Sequence, residues 1–196
     1  MKVYRLAILI VIAFLFTACG GDEEDVNSAT LSAADRGFHF QGRDCLACHN
    51  IDLGVSKNLV VAGTLYKSSN VQDMSNLAET CNADLAIEFL DSGLNVVYSS
   101  ANYYDGSSKG YRGQGNVFLL DRLFNSTLNG TYTMRIVERV SGLSIAQSSS
   151  GSHSFSSAPY SISTAVDLGN RISCNTCHNG GITNPLYVQS NSNLCK

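Results

Sequence analysis

Apolar and polar positions alternate with a period of two through much of the middle of the chain. Ala86-Ile87-Glu88-Phe89 and Thr131-Tyr132-Thr133-Met134-Arg135-Ile136 show it most clearly; the pattern puts one side of an extended chain in a core and the other toward solvent. Runs of this kind predict strands at Leu59–Tyr66, Leu85–Leu90, Val96–Ser99, Asn116–Asp121, Tyr132–Glu138, Leu143–Gln147 and Tyr160–Val166. Asp91-Ser92-Gly93 is a turn signal that makes a hairpin of the second and third. Seven strands at this spacing imply an all-β fold, a seven-stranded antiparallel sandwich over residues 58–168. The beginning of the chain has another pattern. Leu6 to Phe16 is an unbroken apolar run behind Lys2 and Arg5, too short to span a bilayer comfortably, and residues 1–18 read as a secretion signal. Residues 19–36, with Asp22-Glu23-Glu24-Asp25, carry few apolar side chains and read as a solvated tether.

Composition narrows the picture. With 196 residues, 44% of them hydrophobic, the chain supports one well-cored domain with short appendages. A formal charge of -3 and the lack of any Lys/Arg cluster exclude a nucleic-acid partner. Removing the signal takes Lys2 and Arg5 with it and leaves a mature charge of about -5. Seventeen glycines and two prolines suit turns between short strands.

The chemistry lies at the edges of the sandwich. Cys45-Leu46-Ala47-Cys48-His49 and Cys174-Asn175-Thr176-Cys177-His178 are two copies of Cys-x-x-Cys-His, the c-type haem attachment signature, in the segments 37–57 and 169–196. Cysteines three apart share one face of a helical turn, so both thiols can add to the two vinyl groups of one porphyrin. The next residue, His49 or His178, then supplies an axial nitrogen to the iron. Two covalently bound haems are the expected cofactors. A zinc site uses Cys-x-x-Cys pairs too, but it leaves a histidine after both pairs unexplained. Thioredoxin-like redox chemistry needs a preceding apolar strand that neither copy has.

Of the seven cysteines, Cys81 and Cys195 remain as a pair once Cys19 is set aside. An exported chain favours a disulfide between them, with unpaired thiols or an intersubunit bridge as alternatives. Four histidines are present, so His39 and His153 match the number of second axial ligands two irons need. His39 lies between Phe38 and Phe40, a water-excluding setting. His153 sits in a Ser/Gly-rich stretch with no strand pattern of its own, where an ordinary solvated histidine is the competing reading. Met74 and Met134 are rival ligands, Met134 reading as a core residue of its strand. Bis-histidine sites are closed to substrate and argue for electron transfer over catalysis. Tyr103, Tyr104 and Tyr111 fall in a Gly/Ser-rich segment that reads as a loop or a contact surface.

Three resemblances add expectations. Leu15-Phe16-Thr17-Ala18-Cys19-Gly20 resembles the end of a bacterial lipoprotein signal, with Phe16 where leucine is usual, and implies lipidation of Cys19 and a membrane held only through that anchor. Leu128-Asn129-Gly130-Thr131-Tyr132 through Val137, with Ala62-Gly63-Thr64-Leu65-Tyr66, is similar to strands of transthyretin-like and carboxypeptidase regulatory-like domains and implies a non-catalytic scaffold. The two haem motifs together resemble dihaem c-type cytochromes. An odd number of antiparallel strands tends to put the motifs at opposite poles unless a Greek-key crossover intervenes. Electrons would then pass between head-to-tail copies, in a homopolymer similar to extracellular cytochrome filaments. The expected function is electron transfer in the cell envelope or outside the cell, with redox proteins or extracellular acceptors as partners. A dihaem oxidoreductase of peroxidase type and a surface binding module with ancillary haems are the other classes.

Overall fold

The computed structural model describes residues 41–103, 115–158 and 169–195. The chain divides into two units, Met1–Leu31 and Ser32–Lys196, and the described residues all belong to the second. The signal segment, Cys19, the tether, His39, Tyr104, Tyr111 and the expected strand Tyr160–Val166 lie outside the described residues.

The described residues form eight strands: β1 (Leu59–Thr64), β2 (Leu85–Leu90), β3 (Val96–Ser99), β4 (Asn116–Leu120), β5 (Gly130–Glu138), β6 (Ser144–Gln147), β7 (His153–Phe155) and β8 (Ile172–Ser173). They make a three-stranded sheet in the order β4-β1-β8 and a five-stranded sheet in which β3-β2-β5-β6 run side by side and β7 also pairs with β5. The fold is all-β, but it is not a purely antiparallel set of seven. β8 pairs parallel to β1, with Val61 opposite Ile172 and Ala62 opposite Ser173, so the smaller sheet is mixed. β7 and β8 are three and two residues long, too short to show a period, and nonlocal pairing alone defines them.

Alternation places the core where the sequence implies. Ile87 and Phe89 of β2 join Tyr132, Met134 and Ile136 of β5 in the main cluster. Glu88 and Arg135, directly opposite in register, form an ion pair at 2.6 Å. The Asp91 turn holds as expected, its Oδ1 accepting the N–H groups of Gly93 and Asn95. Tyr103 is partly buried: its ring meets Phe124 edge-on at 5.4 Å and packs against the core.

β1 departs from alternation because both its faces are covered. All six residues are buried. Val61 packs into the main core, whereas Leu59 and Ala62 form a second cluster with Leu120 and Leu46. A strand buried on two faces reads as a continuous apolar run, as Leu59-Val60-Val61-Ala62 does. The second cover is the first Cys-x-x-Cys-His segment.

Candidate functional site at the two Cys-x-x-Cys-His motifs

The first motif is a helical turn, Cys45–Ala47, running into a single π turn, Cys48–Asp52. Asp44 starts it as an N-cap, its Oδ1 accepting Leu46 N–H at 3.0 Å and Ala47 N–H at 3.2 Å. Leu46 is fully buried and plugs the turn onto β1. Asn50 then behaves like a piece of strand. Its Nδ2 donates to Leu59 O at 2.9 Å and its Oδ1 accepts Leu59 N–H at 2.7 Å. His49 Nδ1 lies 2.9 Å from Lys57 O. A carbonyl only accepts, so Nδ1 carries the proton and Nε2 keeps its lone pair.

The second motif, Cys174–Cys177, is one helical turn leaving β8 directly. Gly63 of β1 allows it to sit close: a Cβ there would lie 2.7 Å from Cys174 Cβ. His178 repeats the arrangement of His49, with Nδ1 2.8 Å from Asn184 O. Both motif histidines are therefore held in the tautomer that a metal-binding Nε2 requires, by the type of backbone acceptor that orients ligating imidazoles.

The two motifs meet. Asn175, 2% exposed, accepts Thr64 N–H at 3.0 Å, donates from Nδ2 to Arg43 O at 2.8 Å, and brings Nδ2 within 3.9 Å of Cys45 Sγ. The expectation of opposite poles fails because the chain returns parallel to β1 as β8 and delivers its second motif beside the first. Burial, then Asp44, pushes the Cys45 thiol up to about 12. Burial, then Cys45 and Cys177, does the same for Cys174. Cys45, Cys174 and Cys177 are not in disulfides. Cys48 is disulfide-bonded, and a sulfur in a disulfide cannot at the same time carry a thioether.

A cleft of about 200 Å³ lies beside the second motif, walled by Cys174, His178, Met134, Ile136, Leu186 and His153. The tail forms its outer wall. Tyr66 N–H donates to Leu186 O and Val188 N–H to Tyr66 O, while Gln189 N–H reaches Ile145 O of β6. The expected Cys81–Cys195 disulfide is present and fastens the end of this tail. His153 is not in a patternless loop. It opens β7, opposite Tyr132 of β5, and its ring centroid lies 6.4 Å from that of His178 with planes 25° apart. Burial, then neighbouring His178, pushes its pKa down to about 4.

These residues suit a planar macrocycle carried at its rim. The cleft is apolar at its floor and smaller than an enclosed ligand pocket, so a bound porphyrin would keep an edge outside. Gln41 Nε2 and Ser173 Oγ, each close in sequence to one motif, are buried with no hydrogen-bond partner among the described residues and could meet a polar group at such an edge. Among the described residues no group of three or more His, Cys, Asp or Glu is arranged to hold a bare metal ion. Nothing in the sequence marked Asn50, Asn175 or Asn184, because their roles arise from tertiary contacts. No protein-family model matches the chain, and no curated protein or solved structure matches it either.

Proposed function

We propose that this chain is an exported dihaem c-type cytochrome that transfers electrons, with thioethers at Cys45 and Cys48 and at Cys174 and Cys177, and axial nitrogens from His49 and His178. The observation that carries the reading is the shared anchoring of the two motif histidines, each donating Nδ1–H to a backbone carbonyl and keeping Nε2 for iron. Haem supplies the reversible one-electron iron couple when bound. The residues of the chain fix imidazole orientation, exclude water from the inner edge and hold the two motifs together. To hold haem, Cys48 would have to be a thiol, which a dithiol donor would restore by reducing its disulfide and becoming a disulfide itself.

Because Asn175 touches both motifs, the path for an electron lies within one chain. Contact with further copies, as in a filament, would lengthen that path rather than create it. The β-sandwich serves this reading as an Ig-like, transthyretin-like scaffold, and lipidated Cys19 as the anchor to the cell envelope. Redox proteins or extracellular acceptors are the partners.

Intact mass and reduced-minus-oxidised absorbance of protein from a host with c-type haem maturation test the reading. Two haem masses are expected, falling to one in Cys45→Ala/Cys48→Ala and in Cys174→Ala/Cys177→Ala. A chain exported and folded without covalent haem overturns it.

A further inference from the structure

Two histidines from distant parts of the chain share one cleft. His178 follows the second motif, and His153 lies on β7, placed there by the five-stranded sheet. Their nearly parallel rings stand 6.4 Å apart between centroids. An imidazole–metal bond of about 2 Å, plus roughly 1.2 Å from ring nitrogen to ring centre, puts two rings on opposite faces of one iron roughly 6.4 Å apart. The spacing in the chain is the spacing such a pair needs. Offset-stacked rings fall in the same range, and a pair that was only stacked would leave the spin state of the haem indifferent to His153.

The tautomers agree with this use. His178 commits Nδ1–H to Asn184 O and so keeps its Nε2 lone pair, while His153 has Nδ1 2.9 Å from Ser152 Oγ, a hydroxyl that can accept from it and so allows the same tautomer. The position of His153 is built rather than incidental. Gly151, at φ 60°, turns the chain and donates N–H to Thr133 Oγ1 at 2.9 Å; Ser154 Oγ lies 3.0 Å from Thr131 Oγ1. Tyr132 stands opposite His153 in register. A histidine fixed on a sheet is a more exact ligand than one on a free loop.

We propose that His153 is the sixth ligand, from the same chain, of the iron whose fifth ligand is His178. This rests on the dihaem reading and goes beyond it, because it pairs one distal histidine with one haem and closes that iron to exogenous ligands. It makes the second haem an electron carrier and removes it as a site for peroxide. Met134, a core residue in the same cleft, is the rival ligand.

The test uses the full chain carrying Cys45→Ala/Cys48→Ala, so that only the second haem is read. Its ferric absorbance and electron paramagnetic resonance are expected to be wholly low-spin. His153→Ala is expected to convert that signal to high-spin without loss of haem mass, and added imidazole to restore it. Met134→Leu is expected to leave it unchanged. Should His153→Ala be exported poorly, His153→Met keeps a sixth ligand and is expected to raise the reduction potential, as thioether ligation does. A low-spin His153→Ala haem without imidazole, a His153→Met protein with unchanged potential, or loss of the low-spin signal in Met134→Leu overturns the assignment while leaving the dihaem reading intact. Absence of covalent haem from the parent chain overturns both.

Discussion

His153 and His178 stand with ring centroids 6.4 Å apart and planes 25° from parallel, although 25 residues separate them. The relationship depends on Gly151, whose left-handed backbone starts β7. Alanine there costs about 1–2 kcal/mol for the positive φ, and its Cβ would meet Thr131 Cγ2 at 3.4 Å. Gly142 has a similar φ of 70° with open space around its Cβ. Gly151→Ala and Gly142→Ala are expected to lower stability in denaturant melts by comparable amounts. Only Gly151→Ala should alter the ferric spectrum of the second haem.

Gly63 lets Cys174 approach β1, and a methyl group there would collide with Cys174 Cβ at 2.7 Å. Such overpacking costs about 1–3 kcal/mol. Gly63→Ala is expected to lower haem occupancy at Cys174 and Cys177 while the first motif stays loaded, as read by mass spectrometry of haem-bearing peptides. Equal loss at both motifs would contradict this local effect.

Asn175 satisfies Thr64 N–H and Arg43 O from a buried position. Asn175→Leu keeps the branched shape, in a larger side chain, but leaves both groups without that partner, at about 1–3 kcal/mol for each. Chemical denaturation is expected to show a loss of at least that size. Asn175→Asp still accepts from Thr64 N–H but sets a buried carboxyl against Arg43 O, and is expected to be less stable at neutral pH than at acid pH, where the protonated group can donate.

The alternating strands were legible because each has one face against the core. β2 and β3 fall at the bounds their pattern implies, and β1, β4, β5 and β6 within about two residues. The Cys-x-x-Cys-His motifs and the Cys81–Cys195 pair were legible from spacing and count. What escaped was nonlocal. β7 and β8 exist only because β5 and β1 offer them edges, and the parallel return of β8 overturns any reading of chain ends from strand parity. The cleft escaped too, since the tail residues that wall it have no periodicity, and a histidine among serines looks like a loop residue until its register with Tyr132 is known.

The Cys81–Cys195 disulfide closes a long loop and fastens the tail that carries Asn184, the acceptor for His178. Cys81→Ser/Cys195→Ser is expected to lower stability by about 2–5 kcal/mol. It should also broaden the resonance of the haem proposed at the second motif, because His178 loses a fixed acceptor, with less effect at the first. An unchanged melting curve would show that the hydrogen bonds of the tail hold it without the bridge.

Circular dichroism in the Soret region tests most directly whether two haems lie side by side in one chain. The two-haem protein is compared with Cys45→Ala/Cys48→Ala and with Cys174→Ala/Cys177→Ala at concentrations where sizing shows a monomer. The meeting of both motifs at Asn175 predicts a two-signed couplet in the parent that neither variant shows and that their sum does not reproduce. A parent spectrum equal to that sum, or no Soret band at all, would contradict the account.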